Sequence, residues 1–157
     1  MNKKITPKQA HAKLQELCAR SEQCSFDIHR KLYNWGISAD VSEKIMKVLV
    51  AEKFVDDARF AKAFARDKYR FSGWGRIKIL RHLAAKRISG ILAENALDEI
   101  DGEEYEAIAL KALKAKSRTL KEGNTYEGRT KLFRFGVTRG FEPSLVASII
   151  KTGLVWE

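Results

Sequence analysis

The chain has 157 residues, of which 45% are hydrophobic, and its formal net charge is +10. This length suffices for one ordinary domain or a short array of small repeats, and a content of two prolines and ten glycines excludes a collagen-like or disordered chain. Because no apolar run approaches the roughly 18 residues of a membrane helix, and the basic N-terminus lacks the apolar stretch of a secretory signal, we expect a cytoplasmic protein without a membrane segment.

The first third of the chain predicts three helices. Thr6 has the sequence context of a helix cap, and the helix that follows ends near Arg20. Ser25 is the predicted cap of a second helix, for which Gly36 is the C-terminal stop. Ser38 is the predicted cap of a third helix.

The middle third is centred on residues 53–88. Asp56 or Asp57 can cap the next helix, which the sequence Ser72-Gly73-Trp74-Gly75 ends. In the helix after that turn, we predict that one apolar face packs on the core and that the basic side chains lie largely opposite. This predicted core face consists of Ile77, Leu80, Leu83 and Ala84.

The last third predicts more helices around an exposed polar loop at residues 116–128. The C-terminal Leu154-Val155-Trp156 is expected to fold back on the last helices. No segment alternates between apolar and polar residues with the period of two that a half-buried strand needs.

Two parts of the chain repeat with an offset of 51 residues, and a fainter third copy follows after 53 more. Ile28, Leu32, Gly36, Ile37 and Ser38 align with Ile79, Leu83, Arg87, Ile88 and Ser89, and in the third copy with Leu132, Gly136, Gly140, Phe141 and Glu142. We therefore predict an all-α fold of three tandem three-helix repeats, at 6–54, 55–101 and 102–153, forming an elongated, curved array.

Charge is distributed in blocks. Residues 62–87 hold nine basic residues and one acidic residue, and residues 111–139 hold nine basic and two acidic residues. Between them, residues 94–106 hold seven acidic residues and no basic one. Such blocks indicate separate charged faces, and the basic ones favour nucleic acid or a nucleoprotein as partner.

No catalytic or metal-binding constellation stands out. Asp56 and Asp57 lack a third ligand at a recognisable spacing, so helix capping is the better interpretation. The three histidines are scattered, and Gly73-Trp74-Gly75 lacks the lysine and the preceding strand of a phosphate-binding loop. We expect no enzymatic activity, no cofactor and no metal site.

Trp74 lies between two glycines and close to basic residues. Its ring can stack on a nucleic-acid base or fill the junction between two helices, and the sequence leaves both interpretations open. The following basic segment, residues 75–87, offers no Asn, Gln, Ser or Thr to read base edges. This favours contacts with a nucleic-acid backbone or with an anionic protein surface.

The sequence Lys53–Ala61, KFVDDARFA, resembles the central signature of the RecX family, the regulators of the RecA recombinase. The glycine-basic turn and helix at Gly73–Leu80 and the short helix from Ser25 to Ile37 are also similar to that family, and the resemblance is weakest in the third unit. It implies three tandem three-helix repeats. It also implies a non-enzymatic protein of DNA recombination, repair and the SOS response. Such proteins lie in the groove of the RecA–DNA filament and inhibit RecA's ATPase, strand exchange and filament growth.

From the basic segments and this resemblance we expect a monomer that contacts the RecA filament, and single- or double-stranded DNA through its basic patches. The predicted binding residues are Arg70, Trp74, Arg76, Lys78, Arg81, Lys86 and Arg87 in the second unit and Lys131, Arg134 and Arg139 in the third. One alternative is a general DNA- or RNA-binding protein that acts independently of RecA. A further alternative is an enzyme acting on nucleic acid, with the acidic block as its only candidate metal site.

Overall fold

The computed structural model describes residues 4–157, and in this part of the chain all regular structure is helical. The α-helices are α1 (Pro7–Arg20), α2 (Ser25–Asn34), α3 (Ala39–Ala51), α4 (Asp57–Arg70), α5 (Arg76–Ala85), α6 (Ile91–Asp98), α7 (Gly102–Ser117), α8 (Tyr126–Thr138) and α9 (Pro143–Lys151). A 3₁₀ helix at Leu154–Trp156 follows. The all-α prediction is confirmed. None of the helices between residues 4 and 157 combines the length and apolar character needed to cross a bilayer.

Most helix starts are set by local caps. Thr6 forms a complete capping box at the start of α1, and Ser38 and Asp56 cap α3 and α4 by accepting hydrogen bonds from backbone N–H groups three residues on. The prediction for α2 is wrong, because Ser25 is its first helical residue rather than its cap. The Ser25 N–H instead donates to the carboxylate of Asp57, 32 residues further along the chain.

The helices follow one another as three groups of three, here named repeat 1 (α1–α3), repeat 2 (α4–α6) and repeat 3 (α7–α9). The second helix of each group ends at a residue with positive φ: Gly36 at 77°, Arg87 at 59° and Gly140 at 97°. The next residue in each group then donates its N–H five residues back, across 3.0, 2.9 and 3.2 Å. These positions have the predicted offsets, so the three-helix repeats are confirmed. The unit boundaries at 54/55 and 101/102 stay predictions.

The helices enclose two hydrophobic cores. One lies within repeat 1 and includes the fully buried Ile28 and Leu32. The other runs through repeats 2 and 3, from Phe60 to Val155, and also takes in Cys24 at the start of α2. Repeats 2 and 3 therefore form one packed body, to which repeat 1 is attached.

The overall shape is extended. The accessible surface is 10126 Å², whereas a compact monomer of 17.9 kDa exposes about 8,000 Å². The excess fits an array in which each unit buries its surface mainly against its neighbours.

The core-facing side of α5 differs from the prediction. Ile79 and Leu83 are completely buried, whereas Ile77 and Leu80 are each 37% exposed and Ala84 is exposed. The buried pair, four residues apart, occupies the positions that Ile28 and Leu32 hold in α2, so the repeat alignment predicts the core better than the local apolar stripe does. The outer face of α5 consequently carries apolar side chains among its basic ones.

The polar loop in repeat 3 is shorter than predicted, because α7 continues to Ser117 and α8 begins at Tyr126. Gly128 belongs to α8 and lets that helix approach the carbonyl of Gly123, which would lie 1.8 Å from an added Cβ. The Ser117 hydroxyl donates to the Val155 carbonyl across 2.6 Å, so the C-terminal segment folds back on α7 as expected.

Candidate nucleic-acid interface

The segment Asp56–Arg59 at the start of repeat 2 forms the junction between repeats 1 and 2. The Asp57 carboxylate accepts a hydrogen bond of 2.8 Å from the N–H of Ser25 and so completes the N-terminus of α2. The Arg59 guanidinium binds the Glu22 carboxylate at 2.7 Å and the Lys53 carbonyl at 3.0 Å. These contacts hold repeat 1 against repeat 2. Within residues 4–157, no three His, Cys, Asp or Glu side chains are grouped as metal ligands.

The glycines around Trp74 join repeat 2 to repeat 3. The Gly75 N–H donates to the Arg139 carbonyl at 2.8 Å, and the Ile77 N–H donates to the Gly140 carbonyl at 3.0 Å. A Cβ on Gly75 would lie 2.1 Å from the Gly140 carbonyl carbon, so only glycine allows this approach. The N–H groups of Gly75 and Ile77 thus donate to carbonyls just after α8, and that of Arg76 donates to the Tyr105 hydroxyl, so these groups are not available to bind phosphate.

Two predicted binding residues form ion pairs across the same junction. The Arg70 Nε lies 2.8 Å from the Glu104 carboxylate, and the Arg76 guanidinium lies 2.9 Å from that of Glu142. The Tyr105 hydroxyl donates to Glu142 at 2.6 Å and accepts from the Arg76 N–H at 2.9 Å. The hydrogen bond from Arg70 lowers the pKa of Glu104. Part of the acidic block therefore serves as an internal partner for the basic helices.

Four further predicted residues also contact their own chain. The Lys86 ammonium pairs with Asp27 of repeat 1 at 2.6 Å, and Lys131 pairs with Glu122. Arg87 lies over the Phe26 ring, with 5.6 Å between its Cζ and the ring centroid. A separate contact fixes the half-buried Arg139, whose Nη2 donates to the Ser72 carbonyl at 3.2 Å.

A cationic cluster surrounds Trp74. The Nζ atoms of Lys68 and Lys78 lie 4.8 and 4.4 Å from the centroid of its ring, and the His82 ring centroid is 4.4 Å away. We name Lys68, Trp74, Lys78, Arg81 and His82 the Trp74 cluster. In the part of the chain that the structure describes, its lysines and Arg81 form no ion pair with a carboxylate.

The electrostatics of the cluster favour an anion. Burial and then the nearby charges of Lys78, Lys68 and Arg81 lower the pKa of His82, as expected where positive charge is not neutralised. The half-buried Trp74 packs on the core of repeats 2 and 3, with its edge against Phe64, and the remainder of its surface is open. A phosphate beside the cations and a base against the exposed part of the indole would both fit this chemistry.

Sequence reasoning missed two members of the cluster, Lys68 and His82. Lys68 is on the core-facing side of α4, but its Nζ lies over the Phe64 ring, 5.4 Å from the centroid, and beside Trp74. The signal for this contact is a lysine on an apolar stripe with aromatic residues on either side. The remaining predicted residue, Arg134, is exposed on α8 and lies outside the cluster.

The chain resembles known proteins in sequence and in fold. A family model described as "RecX, second three-helix domain" matches residues 56–97. The Regulatory protein RecX of Prosthecochloris aestuarii is 32% identical over 120 residues, covering 76% of this chain and 77% of that protein. That of Clostridium botulinum strain Eklund 17B is 28% identical over 132 residues, which is 83% of this chain but only 61% of the longer relative.

Solved structures show the same fold. The crystal structure of RecX from Lactobacillus salivarius superposes with a TM-score of 0.80 at 17% identity, over 93% of this chain and 95% of that one. A second crystal structure, of "regulatory protein RecX", gives a TM-score of 0.83 at 21% identity, over 92% of this chain and 73% of that one. With the sequence relatives, these similarities show that the chain belongs to the RecX family.

Proposed function

We propose that this chain regulates the RecA recombinase by binding the RecA–DNA filament, inhibiting its ATPase, its strand exchange and its growth. The observation that carries the proposal is the Trp74 cluster on the middle unit of an extended array, whose lysines and arginine form no ion pair with a carboxylate among residues 4–157. Membership of the RecX family supports RecA as the target. We propose that the chain acts by binding alone, without catalysis or a cofactor.

The predicted binding residues then have different roles. Lys78 and Arg81, with Trp74, contact the filament directly, and Lys68 joins them. Four others fix the angles between repeats through internal ion pairs and hydrogen bonds: Arg70, Arg76, Lys86 and Arg139. In this proposal the joints give the array a defined shape, and the cluster supplies the anion-binding surface at its centre.

A second candidate is a nucleic-acid-binding protein that does not need RecA. The observation that favours it is the Trp74 ring flanked by two ammonium groups, a combination that suits single-stranded nucleic acid. Binding that depends only on phosphates weakens steeply as salt rises, because each neutralised phosphate releases counterions. Binding to a protein–DNA filament has a smaller salt dependence if part of its contact is with protein.

Co-sedimentation distinguishes the two candidates. The fluorescently labelled chain is mixed with preformed RecA filaments on single-stranded DNA, or with the same DNA alone, between about 50 and 200 mM salt. The proposal predicts binding to filaments that is at least roughly tenfold tighter than to bare DNA at the higher salt. Equal binding to both, with the same steep salt dependence, would favour the second candidate.

The matched variants for this experiment carry three charge reversals each. One changes Lys68, Lys78 and Arg81 to Glu. The control changes the exposed Lys8, Lys44 and Lys47 of repeat 1, which form no ion pair in the described residues, to Glu. The first variant should lose filament binding and the control should retain it.

A further inference from the structure

A cleft of about 780 Å³ opens between repeats 1 and 2. One wall is the outer face of α2, another is the first turn of α3, and the third is the turn between α5 and α6. Its apolar surface comes from the half-buried Phe26 and Ile37 and from Tyr33, which is 80% exposed. This volume is within the range of about 300–1,000 Å³ in which proteins hold ligands.

The rim of the cleft carries positive charge. Arg30 on α2 and Arg87 on the α5–α6 turn form no ion pair with any carboxylate between residues 4 and 157, although Arg87 lies over the Phe26 ring. Lys86 is also present, but Asp27 neutralises it. Two guanidinium groups beside an aromatic surface are suited to carboxylates presented next to apolar side chains.

Comparison of the three repeats identifies Arg87 as unusual. The equivalent residues, Gly36 and Gly140, are glycines with φ of 77° and 97°, and Arg87 adopts the same left-handed conformation with φ of 59°. A residue with a side chain pays a conformational penalty in this region that glycine does not. Arginine at this position therefore costs stability, and such strain commonly marks a functional position.

We propose that this cleft binds an acidic, amphipathic segment of a partner protein. Apolar side chains of the segment pack on Phe26, Tyr33 and Ile37, and its carboxylates bind Arg30 and Arg87. Nucleic acid is the poorer occupant, because a phosphate backbone carries a negative charge at every nucleotide and would bring some of these charges against Glu43 and Asp57. A peptide can instead present its carboxylates only beside Arg30 and Arg87.

The proposal is tested without RecA or DNA, so that a negative result for the cleft can be distinguished from a negative result for the proposed regulation of RecA. A phage library of random twelve-residue peptides is selected on the wild-type chain, after removal of phage that bind an Arg30→Glu, Arg87→Glu variant. We expect the enriched peptides to contain at least two acidic residues together with Leu, Ile, Phe or Trp. No enrichment, or enrichment of peptides without acidic residues, would overturn the proposal.

Binding of one enriched peptide, fluorescein-labelled, is then measured by anisotropy. Arg87→Gly and Arg30→Ala should each weaken it by at least roughly tenfold, and Lys8→Ala on α1, a helix that does not line the cleft, should leave it unchanged. Arg87→Gly should unfold at the same temperature as the wild type or a higher one, because it relieves the left-handed strain. A lower unfolding temperature for Arg87→Gly, or displacement of the peptide by an oligothymidine strand, would contradict the proposal.

Discussion

The Asp57 carboxylate accepts a 2.8 Å hydrogen bond from the backbone N–H of Ser25, so the second aspartate of the central signature completes a helix in the neighbouring repeat. Asp56, one residue earlier, caps its own helix through the Arg59 N–H at 3.1 Å. The two adjacent carboxylates thus start two different helices. This division explains why the signature contains two aspartates in a row without involving a metal ion.

Removing the Asp57 carboxylate should destabilise the joint between repeats 1 and 2. Asp57→Ala leaves the Ser25 N–H at the start of α2 without its acceptor, and we expect a loss of about 1–2 kcal/mol in the free energy of unfolding. Urea denaturation measures this change. The matched control is Asp98→Ala at the exposed end of α6, where the loss should be close to zero. Equal effects of the two substitutions would show that Asp57 is not a cap.

A methyl group at Gly75 should force repeats 2 and 3 apart. Its Cβ would lie 2.1 Å from the backbone of Gly140, and overpacking of this kind costs about 1–3 kcal/mol or more. Gly102 begins α7 with open space around the position of a Cβ, so Gly102→Ala should be neutral or stabilising. Thermal unfolding of the two alanine variants checks the contrast. A Gly75→Ala variant as stable as the wild type would contradict the close approach.

Charge reversal at Arg76 should affect folding more than reversal at Arg81. Arg76→Glu places a carboxylate against Glu142 and removes the guanidinium from the Tyr105 ring, whose centroid lies 4.0 Å from its Cζ. Because the pair is about one-third exposed, we expect a loss of about 1–2 kcal/mol rather than the cost of a fully buried charge. Arg81→Glu, on the exposed face of α5, should change the free energy of unfolding little. Urea titrations of both variants distinguish a structural arginine from a surface one.

The ion pair between Lys86 and Asp27 should make stability depend on pH. Burial acts to raise the pKa of Asp27, but hydrogen bonds from Lys86 and from the Cys24 thiol outweigh it, and the pKa is lowered. The ionised carboxylate therefore stabilises the fold above the unfolded-state pKa of about 3.9. This contribution disappears as the pH falls through the lower, folded-state pKa.

The free-energy difference between the wild type and Asp27→Asn should accordingly be largest near neutral pH and shrink below about pH 4. Denaturation at a series of pH values measures it. In a Lys86→Met background the same substitution should show a much smaller pH dependence, because the main partner is gone. A difference that stays constant with pH would contradict this assignment.

The sequence predicts features that depend on neighbouring residues. The caps at Thr6, Ser38 and Asp56 are confirmed, because a cap and its N–H donor lie within three residues of each other. The repeat register is also confirmed, because the residues of the turn that ends each second helix follow that helix directly in the sequence. Buried pairs such as Ile79 and Leu83 follow from that register.

Contacts between distant parts of the chain could not be predicted in the same way. The partners of Arg70 and Arg76 lie 34 and 66 residues away, so the sequence alone does not show that these arginines are already neutralised. Lys68 is a different case, because its contacts with Phe64 and Trp74 are local but its position on the apolar stripe of α4 indicates a core-facing residue. The basic segment indicates the class of partner, but only the packing of the repeats separates cations of the joints from cations of the surface.

The most direct test of the central proposal is RecA's ATPase on single-stranded DNA, titrated with this chain and then challenged with excess free single-stranded DNA. We predict inhibition at well below one molecule per RecA, persistence after the challenge, and loss of inhibition when Lys68, Lys78 and Arg81 are changed to Glu. Inhibition only at amounts that cover the DNA, relieved by the challenge, would contradict binding to the filament. Full inhibition by the triple variant would contradict the role of the Trp74 cluster.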